Sequence, residues 1–317
     1  MAHMIPSARR IAAALLAAAI SLAPLAADAI TVRDAGGRTV EVTDASRIVS
    51  VGGAVTEILY ALGLADRVIA VDTTSLFPPQ ALKQKPNVGY MRALSAEGVL
   101  GLNPSLVLAI EGAGPKETIA VLESATVPLV RVPDHFTADG ILEKITMIAD
   151  IVGVHEHGRC IAGAVATDLA ALAKLRAQVT SRKKVLFVIS LVGGKPTVAG
   201  RNTAADGIIR LAGGINAIDA YEGYKQLSDE AVIAAAPDTV LVMQRPNEPI
   251  DAATVFASAA FAATPAAAQK SFIAMDGLYL LGFGPRTASA ARDLSAQLYP
   301  AIGRAELPSE RQPTGCT

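Results

Sequence analysis

The sequence predicts an α/β protein of two lobes, each a mainly parallel sheet flanked by helices, joined by one long helix. Three observations predict it. Apolar strand-like runs alternate with helical ones along most of the chain, the pattern of βαβ units. A block in the first half returns in the second: Leu94-Ser95-Ala96-Glu97, with Pro104 and the strand-like Leu106–Ile110 after it, matches Leu227-Ser228-Asp229-Glu230, with Pro237 and Thr239–Met243 after it. A smaller echo, Ala61-Leu62-Gly63 against Leu211-Ala212-Gly213, closes a helical run in each half, so two lobes of similar build are implied. Finally, the alanine-rich stretch His157–Val179 would run about 33 Å as one helix at 1.5 Å per residue. That is too long for an ordinary crossover and reads as the strut between lobes. A cleft between them is the default site.

The 317 residues, 51% hydrophobic, are enough for one or two cores. A net charge of −1 lacks the basic footprint that nucleic acid requires. Arg9-Arg10, the apolar Ile11–Leu22 and Ala27-Asp28-Ala29 read as a cleaved export leader over 1–29. The apolar run is short for a span of ~20 residues. No cysteine lies near the cleavage point to carry a lipid, and no later run is long and apolar enough to span a bilayer.

The N-terminal lobe is expected over 30–137. Thr31–Val42 reads as a hairpin around Gly36-Gly37, and Arg47–Val51 as a buried strand. Val55–Leu62 is helical, capped at or before Thr56 and stopped by Gly63. Val68–Val71 is a strand; Asp72–Lys85, with Pro78-Pro79, is a loop or broken helix. Ser95 caps a helix that Pro104 ends, followed by strand Leu106–Ile110, helix Glu117–Ser124 and strand Val127–Val132.

Residues 138–180 form the linking segment: helix Ala138–Ile151, a break at Gly153, then the strut. The C-terminal lobe is expected over 181–306. It has strand Lys184–Ser190, a turn at Gly193-Gly194, helices Thr203–Leu211 and Leu227–Ala236, and strand Thr239–Met243. Helix Ala252–Thr264, strand Ser271–Met275 and helix Thr287–Tyr299 complete it. The proline-bearing tail, 307–317, is expected to be disordered. Cys160 and Cys316 can pair in an exported protein or remain free thiols, and their spacing offers no zinc or iron–sulfur motif.

Catalytic constellations are poor. Of four histidines, His3 falls in the leader. His155 and His157 are two apart on a helix and cannot share a metal, and His135 sits on a loop. No nucleophile elbow, zincin motif or phosphate loop is present. Gly282-Phe283-Gly284-Pro285-Arg286 is no dinucleotide signature. The polar pair Tyr90 and Arg92 stands out. Two apart on an extended segment, their side chains point the same way. A tyrosine ligates ferric iron well only as phenolate, and free tyrosine ionises only near pH ~10. A cation within reach favours the charged form. The pair therefore reads either as an anionic axial ligand for haem iron or as a rim tyrosine packed on arginine.

Pro86-Asn87-Val88-Gly89-Tyr90-Met91-Arg92-Ala93-Leu94-Ser95-Ala96-Glu97 resembles the signature of periplasmic haem-binding proteins of bacterial ABC haem importers. So do Val198–Asn216, Gly223–Glu230 and Leu280–Arg286. The likeness runs from about Ile30 to Pro300, and the Tyr-x-Arg loop is its most specific part. It implies haem b as cargo, Tyr90 as axial ligand and Arg92 as its hydrogen-bond partner. Arg201 would lie on the opposite face of the haem or at its propionates, with Tyr224, on a loop just before the second helix start, also lining the cleft. Glu97 and Glu230, one per lobe, would dock on arginines of a two-fold inner-membrane permease. It further implies a periplasmic carrier, expected to be a monomer, that catalyses no reaction; the long strut implies a small opening motion on binding rather than a wide hinge. The repeated Glu and Pro positions are shared with siderophore and cobalamin carriers, the alternative reading; an enzyme of tetrapyrrole or metal chemistry is a more distant one.

Overall fold

The structure, a computed structural model, describes residues 1, 29–244, 250–302 and 316. The expected leader and tail lie outside these residues, apart from Met1, Ala29 and Cys316.

A hairpin of β1 (Ile30–Arg33) and β2 (Thr39–Val42) opens the first lobe. There follow β3 (Ile48–Val51), α1 (Gly53–Ala61), β4 (Val68–Val71), α2 (Pro79–Gln84), α3 (Ala96–Leu100), β5 (Leu106–Ile110), α4 (Lys116–Ser124) and β6 (Leu129–Val132). Its sheet is wholly parallel, in the order β4-β3-β5-β6. Two helices, α5 (Ala138–Ile151) and α6 (His155–Arg176), lead out of it.

The second lobe comprises β7 (Lys184–Val192), β8 (Lys195–Ala199), α7 (Ala204–Leu211), β9 (Ile215–Asn216), β10 (Tyr224–Gln226), α8 (Asp229–Ala235) and β11 (Thr239–Gln244). Then come α9 (Ala252–Phe256), α10 (Ala259–Ala262), α11 (Pro265–Ala268), β12 (Phe272–Asp276), α12 (Gly277–Leu281) and α13 (Thr287–Leu298). This sheet is mixed. It is parallel through β9, β7, β11 and β12, and antiparallel where the Gly193-Gly194 turn folds β8 back on β7 and β10 adds to β8.

Period-two side-chain alternation explains how each sheet buries both faces. In β5, Leu106, Leu108 and Ile110 face one core while Val107 and Ala109 face another. In β7, Val185 and Phe187 divide from Leu186 and Val188 in the same way. The inner faces of both sheets belong to one continuous core, completed by α1, α5, α6, α7 and α13. The long helix α6 packs on α5 at one end and on α7 and α13 along its length. Such a shared apolar layer resists wide hinge opening.

The repeat is structural. Ser95 accepts from the Gly98 amide and Ser228 from the Ala231 amide, both at 3.3 Å, and each caps a helix that precedes a central strand, β5 or β11. Gly63 and Gly213 both take positive φ, +74° and +88°, just beyond α1 and α7, where a side chain would be strained.

Several expectations are corrected. The helix expected over Ala252–Thr264 is two short ones, because Ser258 takes extended backbone and starts a new turn; Thr264, also extended, starts a third beyond the expected range. Of the two cap positions left open for α1, the earlier one holds: Gly52 is the N-cap, and Thr56 lies a turn inside, its hydroxyl 2.7 Å from both Ser50 and Ser75. The strut begins at His155 rather than His157. Tyr224 opens the edge strand β10 rather than standing on a loop. Cys160 and Cys316 form a disulfide, tying position 316 to the first turns of α6.

Two charged contacts pin the lobes together. Glu57 of α1 receives Arg286 through its backbone amide (3.2 Å), Nε (3.1 Å) and Nη2 (2.9 Å). The guanidinium also lies 3.5 Å from the Phe77 ring centre. Lys144, fully buried, donates to Asp134 in the first lobe and to the Phe283 carbonyl in the second. Glu57→Ala would leave Arg286 half-buried without its acceptor. We expect urea unfolding to show a loss of about 3 kcal/mol, the low end for a broken buried pair because the Phe77 contact survives. A loss under about 0.5 kcal/mol would mean that the pair is not a structural tie.

Candidate functional site

Tyr90 sits on a loop braced from both sides. The Val71 amide donates to the Pro86 carbonyl, the Val88 amide to the Val71 carbonyl and the Thr73 amide to the Gly89 carbonyl, so residues 86–89 run along the edge of β4. Gly89 then turns with φ +94°, a conformation that favours glycine. Beyond it, the segment expected to be extended is a turn: the Ala93 amide closes on the Tyr90 carbonyl at 2.7 Å. The Gly114 amide donates to the Met91 carbonyl, and the Leu94 amide to the Gly114 carbonyl. Met91 and Leu94 pack into the core, which leaves Tyr90 and Arg92 turned outward.

Tyr90 is 44% exposed, and Arg92 Nη1 donates to its hydroxyl oxygen at 3.2 Å. The second lobe supplies Tyr224. Its pKa is raised, first by burial. The Thr203 hydroxyl, the charge of Arg92 and the Ala205 amide oppose that shift without cancelling it. Tyr224 is therefore a neutral phenol at neutral pH. Arg92, hydrogen-bonded to Tyr90 in the first lobe, is near enough for its charge to act on Tyr224 in the second. Thr203, whose hydroxyl also meets Tyr224, caps the N-terminus of α7 by accepting from the Asp206 amide.

Arg201 is on the same edge as Tyr224: its amide donates to the Tyr221 carbonyl and its carbonyl accepts from Gly223. Its guanidinium reaches Glu222 at 3.9 Å and makes no hydrogen bond to Tyr90, Arg92 or Tyr224. Glu97 and Glu230 are exposed in the first turns of α3 and α8, on equivalent elements of the two lobes. The Glu230 carboxyl is held below the usual range by its own amide and by the Ser228 hydroxyl.

The histidines take local partners: His135 is 3.2 Å from Glu143 and His155 is 2.7 Å from Asp150, all exposed. Among the described residues no cluster of three or more His, Cys, Asp or Glu could hold a metal, and no helix is long and apolar enough to cross a membrane. A cavity of about 550 Å³ lies elsewhere, beside the disulfide, lined by residues 153–157, Arg159, Cys160 and Cys316. Sequence reasoning missed Thr203 and gave Arg286 no role. The only sequence signal for Thr203 was its place as a helix cap.

A two-lobed α/β body with outward polar groups between its lobes and paired acids on matched helices defines a ligand-capturing protein. The chain belongs to the periplasmic binding protein family, whose model matches residues 48–278. It is similar to the solved periplasmic heme-binding protein RhuT from Roseiflexus sp. RS-1 in apo form: 42% identical, covering 82% of this chain and 100% of that one, with a TM-score of 0.76. An uncharacterized ABC transporter substrate-binding lipoprotein, YvrC of Bacillus subtilis (strain 168), is 26% identical over 86% of each chain. The vitamin B12-binding protein of Vibrio campbellii (strain ATCC BAA-1116) is 31% identical over 62% of this chain and 70% of its own.

Proposed function

We propose that this protein captures haem, with haem b as the physiological form, and delivers it to an inner-membrane ABC importer without catalysing a reaction. The leader over 1–29 would direct it to the periplasm and be cleaved near Ile30. The observation that carries the reading is the 3.2 Å contact from Arg92 to the hydroxyl of a half-exposed Tyr90 on a braced loop. Ferric haem supplies an iron that accepts an anionic oxygen ligand. Tyr90 offers that oxygen, and Arg92 holds it in place through the 3.2 Å hydrogen bond. Tyr224, held neutral, donates a hydrogen bond or stacks on the ring. Arg201 is free to leave its long contact with Glu222 for a propionate.

The identity shared with a heme-binding protein over 82% of this chain supports haem over the cobalamin alternative, where the likeness covers 62%. Titration with hemin followed at the Soret band, in parallel with cyanocobalamin, decides between them. A saturable Soret shift with no cobalamin binding is expected. Cobalamin binding without a Soret response would replace the haem reading by the alternative.

Arg92→Ala is expected to weaken hemin binding about 10- to 30-fold, the worth of one hydrogen bond to a charged group at ~1.5–2 kcal/mol. Dissociation measured by transfer to apomyoglobin checks it. An unchanged off-rate would remove Arg92 from the ligand's support.

A further inference from the structure

Beneath the Tyr90 loop lies a polar network that the haem contacts do not use. Its hub is Asp72, fully buried at the end of β4. Oδ1 accepts from the Gly52 amide at 2.9 Å and from the Ser75 hydroxyl at 3.0 Å. Oδ2 accepts from the Thr74 amide at 3.0 Å and from its hydroxyl at 2.7 Å. Thr74 Oγ1 in turn accepts from the Gly53 amide at 2.9 Å. Ser75 continues to Thr56 and Ser50, both fully buried. A buried carboxylate is costly unless its oxygens are satisfied, and here four donors satisfy it.

The hub therefore fixes residues 72–75 and the first residues of α1 as one unit. Thr73, between two of the anchored residues, donates its amide to the Gly89 carbonyl at 2.9 Å. Gly89 is the residue before Tyr90. The same unit starts the helix whose Glu57 holds Arg286 of the other lobe. One buried carboxylate thus sets the height of the ligand loop and the start of the helix that ties the lobes.

We infer that Asp72 is a positioning residue for Tyr90, acting through the Thr73–Gly89 backbone bond, an inference that rests on the haem reading above. Supporting groups of this kind hold a ligand atom in place, and their loss costs about 10- to 100-fold in affinity for the metal centre.

The test uses Asp72→Asn, which turns one acceptor into a donor facing donors, and Thr74→Val, which removes the hydroxyl from the network. Thr74→Ser keeps that hydroxyl. Val232→Ala, in the second lobe's outer core, controls for general loss of stability. Two readouts are taken: the phenolate–iron charge-transfer band with the hemin off-rate, and amide exchange in the hemin-free protein. Asp72→Asn and Thr74→Val should weaken the band, raise the off-rate about 10-fold and speed exchange at Thr73 about 10-fold. Thr74→Ser and Val232→Ala should do none of these. If Asp72→Asn does not fold, the Thr74 pair alone decides. Wild-type band, off-rate and Thr73 exchange in Thr74→Val, or changes matched by Val232→Ala, would overturn the inference. A wild-type protein with no Soret response would instead sink the haem reading. Thr73 exchange in the hemin-free protein would still report whether the hub holds the loop.

Discussion

Tyr90→Phe is expected to lower hemin affinity on the order of 1,000-fold, about 4 kcal/mol, and to abolish the phenolate–iron charge-transfer band. The substitution removes one oxygen and leaves the ring. Because Tyr90 is 44% exposed and the loop is held by backbone bonds to Val71, Thr73 and Gly114, the fold should not change. Thermal unfolding of the hemin-free variant should therefore match wild type within a degree or two. Arg92 would then face the haem iron without an anion to carry its hydrogen bond, so the variant should be weaker than Arg92→Ala. Wild-type affinity with an intact band would mean that another atom ligates the iron, and Tyr224 would be examined next.

Local chemistry was legible in the sequence, and chemistry assembled over distance was not. Tyr90 and Arg92 are two residues apart, so their pairing was legible, although a turn closed by the Ala93 amide on the Tyr90 carbonyl carries it rather than the expected extended backbone. Strands buried on both faces, such as β5 and β11, stand out as unbroken apolar runs. The edge strand β10 is exposed at all three positions and leaves no alternation to read. The alanine-rich stretch from Ala252 to Ala268 has little periodic contrast, so the breaks at Ser258 and Thr264 do not show in it. Arg286 could be quoted in a motif but given no role, because its partner Glu57 is 229 positions away. The hydroxyls around Asp72 read as ordinary turn residues until β3 and β4 bring Ser50 and Thr56 against Ser75.

The Glu97→Ala, Glu230→Ala double variant is expected to bind hemin as wild type does and to lose delivery to the importer by about 1,000-fold. Each acid stands at the second position of a helix capped by serine, one on each lobe, on elements related by the internal repeat. A carboxylate there favours the helix dipole, worth a few tenths of a kcal/mol when exposed, and that alone would not affect delivery. Matched placement on two lobes instead suits a two-fold partner that offers one cation to each. A desolvated, hydrogen-bonded charge pair lost at such an interface costs about 2 kcal/mol, or about 30-fold. The two sites lie on separate lobes and should add, which gives the figure for the double variant. The lowered pKa of Glu230 keeps it ionised until pH falls below the usual carboxylate range, so its contribution should hold through neutral and mildly acidic pH and fade only beneath that. Salt separates two modes of action: long-range steering weakens once the screening length shrinks to about 3 Å at 1 M, whereas desolvated pairs persist. Uptake into vesicles bearing the cognate importer is the measurement. Wild-type uptake by the double variant would return both acids to their role at the helix ends and leave the docking surface to other residues.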